Sequence, residues 1–429
     1  MTDRYKCSEL MLERALQTIP LGSQTFSKSK TQYPFGVSPY FLKTGKGSHV
    51  WDIDGNEYID FGNSLAAITL GYSDPDVTKA VQEQLMDGVT FTLPHPLEVE
   101  VAEKIVEMVP CAEMVRYGKN GSDATSGAIR IARAYTKRDL VAVCGYHGWQ
   151  DWYIGSTPRS LGVPKAVQDL TKTFIYNDIN SLKQLFKKWP DQIAAVILEP
   201  MNSSKPKKGF LEEVKELTDK NGAVLIFDET ITGFRYAKGG AQELFGVIPD
   251  LATFGKGIAN GYPLSAIVGR KDIMKLMEEI FFSFTFGGET LSLAASLATL
   301  DKLQREPVIE TLELQGQKVI DRVQQLIDQY QLSDMITIDG HPSWSFLLFK
   351  DAGGYSSYEI KTLFLQEVFK RGILTVGTHN MSYSHSNDDL EKLFMVYNEI
   401  FPILKEAVDK KELHHYLRCT PLEPVFKIR

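Results

Sequence analysis

Four short, largely apolar runs constrain this chain most: Leu140–Cys144, Ala194–Leu198, Val224–Phe227 and Ser265–Val268. Runs of this length without polar alternation read as strands buried on both faces. Helix-patterned stretches separate them. Strands that alternate with helices pair in parallel, because each helical crossover returns the chain to the same end of the sheet. The alternation holds from about residue 61 to about 305 and ends in a helix over Leu291–Gln304. It predicts an α/β domain, a mostly parallel sheet flanked by helices. Before it, residues 1–60 carry a helix from Ser8 to Thr18, an irregular loop and a small strand pair around Val50 and Tyr58. After it, residues 306–429 carry two helices, strands near Ser345–Phe349 and Ile373–Val376, and a helix near Asp388–Leu404. That segment reads as a second, smaller α+β domain.

Open α/β sheets bind ligands beyond the C-terminal ends of their strands. The run Ala223-Val-Leu-Ile-Phe-Asp-Glu229 delivers Asp228 to such an end. A lysine follows in Ala252-Thr-Phe-Gly-Lys-Gly-Ile-Ala-Asn-Gly-Tyr-Pro263, where no helix or strand period accounts for the charge of Lys256. A buried lysine beside a buried carboxylate suggests an amine used as a nucleophile. Pyridoxal phosphate chemistry needs this pair: the lysine forms a Schiff base and the aspartate keeps the pyridinium nitrogen protonated. The competing reading is a lysine in a solvated glycine turn.

Two further segments bear on that choice. The segment Lys119-Asn-Gly-Ser-Asp-Ala-Thr-Ser-Gly127 is made of small and polar residues, and a helical stripe of Ala128, Ile131, Ala132 and Tyr135 follows it. Asn120, Ser122 and Asp123 are each able to cap this helix. Its free N–H groups suit a phosphate. An ordinary capped helix is the plainer alternative. Leu140-Val-Ala-Val-Cys-Gly-Tyr-His-Gly-Trp149 ends a strand in an aromatic pair between glycines, so Tyr146 or His147 could stack on a flat ring.

Composition fits a globular enzyme. The 429 residues are 43% hydrophobic and 24% charged, with a net charge of −7. The acidic balance, with no dominant basic patch, argues against nucleic acid as a partner. No apolar run approaches the roughly 20 residues that span a bilayer, and the polar start Met-Thr-Asp-Arg shows no signal peptide. Cys7, Cys111, Cys144 and Cys419 are far apart and form no metal spacing. These features predict a cytoplasmic protein without metal or membrane contact.

Taken together, the motifs resemble the class III aminotransferases of pyridoxal phosphate fold type I, and most closely the glutamate-1-semialdehyde 2,1-aminomutases. The resemblance runs from Val50-Trp-Asp-Ile-Asp-Gly-Asn-Glu-Tyr-Ile-Asp60 through Ile197-Leu-Glu-Pro200 and Phe227-Asp-Glu-Thr-Ile-Thr-Gly-Phe-Arg235 to Phe254-Gly-Lys-Gly257. It implies a large cofactor-binding domain and a small domain with which the N-terminal segment packs. It implies Lys256 as the cofactor's covalent anchor and proton carrier, with Asp228 on the ring nitrogen. Gly121 and Ser122 would hold the phosphate, Tyr146 and His147 would lie at the ring, and Glu199 would lie near the cofactor. The resemblance also gives Thr290 to the phosphate of a neighbouring subunit, hence a homodimer with shared sites. The plainer reading of Thr290 is a helix N-cap.

The departures from the mutase pattern concern the substrate. Lys28 stands where the mutase has an arginine, keeping the charge and losing the bidentate fork. The loop Val376-Gly-Thr-His-Asn-Met-Ser382 lacks the mutase glutamate, leaving His379 or Asn380 in its space. The lid from Trp149 to Val167 is shorter, rich in aromatics, and carries Arg159 and Lys165. A mutase must trap its intermediate, and a shorter lid favours release. The reading is an aminotransferase passing an amino group from an amino-acid donor such as L-glutamate to a small carbonyl or keto-sugar acceptor. The alternatives are the intramolecular aminomutase giving 5-aminolevulinate, and a non-catalytic binding protein of the same fold.

Overall fold

The structure, a computed structural model, describes residues 3–423. It divides into two compact units. Residues 75–309 form one, and the described residues up to 74 together with those from 310 onward form the other. The first change of unit falls where Pro75 opens the helix Pro75–Asp87, not near residue 61. The second falls inside the helix Val308–Gln329. Residues 424–429 of the expected C-terminal segment lie outside the described chain.

The larger unit is built on a seven-stranded sheet, in spatial order 114–118, 265–269, 251–254, 224–228, 193–198, 140–144 and 171–173. From 251–254 to 171–173 every pairing is parallel. Ser265–Gly269 is the exception, antiparallel to both neighbours. Only residues 255–264 link it to the strand before. A parallel return needs a crossover of roughly a dozen residues or more, so this link reverses the chain.

Both faces of the sheet are covered, which is why its strands read as apolar throughout. Ala142, Val196, Leu198, Leu225 and Phe227 pack on Leu182, Phe186, Leu211 and Val214 of the helices Ile179–Lys188 and Phe210–Asn221. On the other face Val141, Val143, Ala195, Ile197, Ile226 and Ile267 meet Ala124, Ala128 and Ile131 of Gly121–Thr136.

In the smaller unit the strands 42–46, 49–52 and 57–60 form an antiparallel ladder. Ile373–Leu374 extends it in parallel, with Ile373 opposite Ile59. A second antiparallel sheet pairs Ile336–His341, Trp344–Phe349 and Thr378–Asn380. The helix Lys6–Thr18 takes its cap from a distant residue: Asp54 accepts from the N–H groups of Cys7 at 2.6 Å and Ser8 at 2.9 Å. No helix among the described residues is long and apolar enough to cross a membrane.

Residues 63–66 are left-handed in succession, with φ of 42° at Asn63, 50° at Ser64, 62° at Leu65 and 66° at Ala66. Each non-glycine residue in this region costs roughly 1–2 kcal/mol. The turn is held by Asp60, which accepts from Gly62 N–H at 2.7 Å and Asn63 N–H at 3.1 Å. Asn380 Nδ2 donates to the Gly62 carbonyl at 2.7 Å, and Asn63 Nδ2 donates to the Asn380 carbonyl. Glycine at position 64 relieves the strain and adds about 0.5–1 kcal/mol of backbone entropy cost. Ser64→Gly is therefore expected to gain up to about 1 kcal/mol, and Ser64→Val to lose stability, read as shifts of the urea midpoint. A lowered midpoint for Ser64→Gly contradicts this account of the turn.

Candidate active site

The sequence candidates of the larger unit gather around the C-terminal end of the strand Val224–Asp228. Lys256 opens a short 3₁₀ turn after the strand Leu251–Phe254, with φ of 46°. Its amine makes no hydrogen bond or ion pair among the described residues. Burial brings its pKa down from 10.5 to about 8, and the charges of Glu199 and Asp228 oppose that fall only in part.

Asp228 closes its strand, 4% exposed. One carboxylate oxygen lies 2.8 Å from His147 Nδ1. The other accepts from Thr230 N–H at 3.1 Å, from the Thr230 hydroxyl at 2.5 Å and from the Thr253 hydroxyl at 3.2 Å. Burial opposes ionisation here, but the hydrogen bond and charge of His147, with Thr230, hold Asp228 below its ordinary pKa. Thr230 and Thr253 were not picked out from the sequence. The signal for Thr230 was its place two residues after a strand-end aspartate, where a short polar side chain turns back onto its neighbour.

His147 is a correction to the expected ring contact. It is fully buried, with Nδ1 on Asp228 and Nε2 3.0 Å from the Cys144 carbonyl. Trp152 and Tyr153 pack on it with ring centroids 6.3 and 5.3 Å away. It braces Asp228 from behind and leaves Tyr146, which is exposed, as the residue with a free ring face. Trp149 is exposed too.

Glu199 follows the strand Ile193–Leu198 and is buried. It accepts from Tyr146 N–H at 3.1 Å and from Asn202 Nδ2 at 2.9 Å. Burial, then the charge of Asp228, raises its pKa. The next carboxylate after Asp228, Glu229, is structural: it accepts from the N–H groups of Ala241 at 2.7 Å and Gln242 at 2.9 Å.

The helix Gly121–Thr136 starts beside this group. Asn120 is its N-cap, in a capping box with Asp123. The N–H groups of Gly121 and Ser122 have no partner among the described residues. Space at the helix start depends on missing side chains. A Cβ on Gly121 would lie 2.9 Å from Thr230 Cγ2, and one on Gly148 would lie 2.6 Å from Ser122 Cβ.

Thr290 is a second correction. It is fully buried, its N–H donates to the Val89 carbonyl at 2.9 Å, and its hydroxyl lies 2.9 and 3.0 Å from the carbonyls of Gly88 and Val89. Its donors are spent inside its own chain. Nor is it the N-cap: Glu289 caps this helix, accepting from Leu291 N–H at 2.8 Å and Ser292 N–H at 3.2 Å. The exposed threonine of the segment is Thr285.

The remaining candidates lie in the smaller unit. Lys28 is exposed and donates to Ser64 Oγ at 3.2 Å. His379 is a third correction. It is fully buried, 3.0 Å from Ser345 Oγ and 2.8 Å from Tyr397 Oη, and burial brings its pKa down to about 3. It is a core residue with no face for a substrate. Asn380, its neighbour, lines a cavity.

These residues fit pyridoxal phosphate on three counts. A half-buried amine lacks a partner among the described residues, a buried carboxylate is held ionised at the adjacent strand end, and a helix start opened by Gly121 offers two N–H groups unused among the described residues. This amine also carries a stability signature. Between about pH 8 and the unfolded pKa of 10.5, the unfolded chain binds the proton that the folded chain has released, so stability rises with pH across that window. Below pH 8 the folded chain bears the cost of a partly desolvated ammonium. Lys256→Met in the cofactor-free protein is expected to be more stable than the parent at pH 7 by up to about 3 kcal/mol. That gap should close as pH rises toward 10.5, in thermal melts taken as a pH series. A gap independent of pH refutes this account of the amine.

The family model for class-III aminotransferases matches residues 32–378. The 3-aminobutyryl-CoA aminotransferase of Cloacimonas acidaminovorans is 34% identical over 91% of this chain and 96% of its own. The glutamate-1-semialdehyde 2,1-aminomutase of Syntrophobacter fumaroxidans is 42% identical over 73% of this chain and 76% of its own. The FumI protein of Sphingopyxis sp. MTA144, solved in a PLP form, superposes with a TM-score of 0.88 at 27% identity, covering 96% of this chain and 99% of its own. With this extent of match the chain belongs to the class-III aminotransferases, pyridoxal phosphate enzymes of fold type I.

Proposed function

We propose that this chain is a two-substrate aminotransferase, with Lys256 as covalent anchor and proton carrier, L-glutamate as first donor to test, and a small carbonyl compound as acceptor. The observation that carries the reading is the half-buried amine of Lys256, without a partner among the described residues and with its pKa near 8, beside an ionised Asp228. Bound pyridoxal phosphate supplies a carbonyl that exchanges with amines and a ring that draws electrons from the substrate's Cα. Lys256, neutral in part near pH 8, takes a proton from that Cα and returns it after the electrons have moved. Asp228 holds a negative charge where a protonated ring nitrogen sits best, and His147 and Thr230 keep it ionised. The N–H groups of Gly121 and Ser122, with the Ser122 hydroxyl, hold the phosphate. Tyr146, exposed beside this group, would cover the ring, and the exposed Trp149 would meet the substrate.

Support for two-substrate transfer over the mutase comes from the residues that the resemblance gives to the substrate. Thr378–Asn380 is tied into a sheet and offers no carboxylate, and Lys28 replaces a forked cation. The mutase is the second reading, on the strength of the 42% identical relative.

Borohydride reduction and peptide mapping should place a pyridoxyl group on Lys256. A label on another lysine sinks the anchor. With donor alone, the cofactor absorbance should convert to the pyridoxamine form with one equivalent of oxo acid released. Turnover of glutamate-1-semialdehyde to 5-aminolevulinate at ordinary enzyme rates with no second substrate overturns this reading for the mutase.

The working form is proposed to be a homodimer. Phe281, Phe284, Phe286, Leu93 and Val99 of the larger unit are exposed, and such apolar surface marks an interface. Thr285, exposed among these phenylalanines, is proposed in place of Thr290 as the threonine that serves a neighbouring phosphate. Losing one charge-assisted hydrogen bond, roughly 1.5–3 kcal/mol, should weaken cofactor retention about tenfold or more in Thr285→Ala. Mixed dimers of Lys256→Ala with Thr285→Ala keep one undamaged site when the threonine acts across the interface. Absence of any normal site in the mixed dimer refutes the trans role.

A further inference from the structure

A second cavity, of about 780 Å³, lies wholly within the smaller unit, where residues from both ends of the described chain meet. That volume falls inside the roughly 300–1,000 Å³ of small-molecule sites. Its wall takes Arg4 from the N-terminal segment, Phe35 from a loop, Lys370 from the end of the helix Ser357–Lys370 and Arg418 from the C-terminal segment. Three of these four side chains are cations, and no carboxylate lines the cavity among the described residues. The chain as a whole has a net charge of −7, so this concentration of positive charge is local.

Little of that charge is neutralised. Lys370 is exposed and makes no hydrogen bond or ion pair among the described residues. Arg4 donates from Nε to the Tyr5 hydroxyl at 3.3 Å and makes no ion pair among them. Arg418 meets Glu367 at 3.2 Å, but the same carboxylate also binds Arg371 at 2.6 Å. Glu9 reaches Gly36 of the wall, its Oε1 3.8 Å from where a Cβ would stand, without lining the cavity.

The walls are fixed by their own contacts. The Arg4 guanidinium lies 5.7 Å from the Tyr5 ring and 6.0 Å from the Tyr58 ring. Arg418 is held at both ends, its N–H on Gln366 Oε1 at 2.7 Å and its guanidinium on Glu367. Gln366 is held in turn, donating from Nε2 to the Tyr416 carbonyl at 3.0 Å. Ser38 closes the loop that carries Phe35, its hydroxyl donating to the Pro34 carbonyl at 2.6 Å. Phe35 packs on Tyr40 with ring centroids 6.2 Å apart and is still 55% exposed. Guanidinium groups bind phosphate oxygens in pairs, and an exposed aromatic ring accepts a flat base by stacking. A bare anion leaves the ring unused and a neutral ring leaves the cations unused.

We propose that this cavity binds a nucleoside diphosphate, with its phosphates on Arg4, Lys370 and Arg418 and its base on Phe35. The site is built from the smaller unit alone and does not rest on the aminotransferase reading.

The test is titration calorimetry on the full chain, loaded with pyridoxal phosphate and desalted, in magnesium-free buffer. The probes are ADP, pyrophosphate and adenosine. ADP should bind about tenfold more tightly than either of the others, because it alone uses both surfaces. Lys370→Gln should weaken ADP and pyrophosphate alike, by about fivefold or more. Phe35→Ala should weaken ADP about tenfold and leave pyrophosphate within about twofold. Both side chains are exposed, so both variants should fold. Lys188→Gln, which removes another exposed lysine beside an aromatic ring, Trp189, should change neither affinity. The cofactor absorbance should hold constant through the titration. No binding of ADP, ADP no tighter than pyrophosphate, indifference to Lys370→Gln or Phe35→Ala, an equal loss on Lys188→Gln, or displacement of the cofactor overturns the inference.

Discussion

The larger unit depends on one physical demand: an amine has to be held partly out of water, without a hydrogen-bond or ion-pair partner among the described residues. An ammonium in that position is expensive, and the pKa of Lys256 falls to about 8 because burial penalises the charged form. The location follows from topology. The chain leaves the strand Leu251–Phe254 and must return antiparallel within residues 255–264. That short link places Lys256 in a left-handed conformation directly after a strand end. Sheet connectivity, backbone strain and amine chemistry therefore meet at one residue. Relief of any one of them would disturb the other two.

The two carboxylates beside that amine are driven in opposite directions. Asp228 collects a histidine, two threonine hydroxyls and a backbone N–H, and stays below its ordinary pKa. Glu199 has an amide and a backbone N–H, and burial with the charge of Asp228 raises it. Neighbouring acids whose environments push their pKa values apart favour different charge states within one site. The difference lies in the second layer of residues. His147 is itself fixed by Cys144, Trp152 and Tyr153, so the ionisation of Asp228 is set by groups that touch no ligand.

What the sequence could tell follows from which interactions are local. The strands 140–144, 193–198 and 224–228 were legible because burial on both faces leaves a continuous apolar run. Lys256 and Asp228 were legible as charges at strand ends. The antiparallel turn of Ser265–Gly269 needed only the length of its link, and that length was on view. His147, Thr290 and His379 were misread for a shared reason. Each is a polar residue in a motif-like stretch whose partners lie far away in the chain: Asp228 for His147, the carbonyls of Gly88 and Val89 for Thr290, Ser345 and Tyr397 for His379. A sequence shows that such a residue is polar and not that its hydrogen bonds are already used. The cap supplied to Lys6–Thr18 by Asp54 is invisible for the same reason.

The strained stretch 63–66 shows why a costlier residue can be retained. Glycine at position 64 would sit without penalty at its φ of 50°. It would also remove the one hydroxyl that Lys28 touches, while the bonds of Asp60 and Asn380 to Gly62 and Asn63 would remain. A lysine on four flexible carbons needs such a partner to hold its direction, because an unanchored ammonium spreads over many rotamers. Strain in the turn and order in the lysine are then two consequences of one choice of residue. The serine loses stability in the backbone and keeps the one hydroxyl that the Lys28 ammonium contacts.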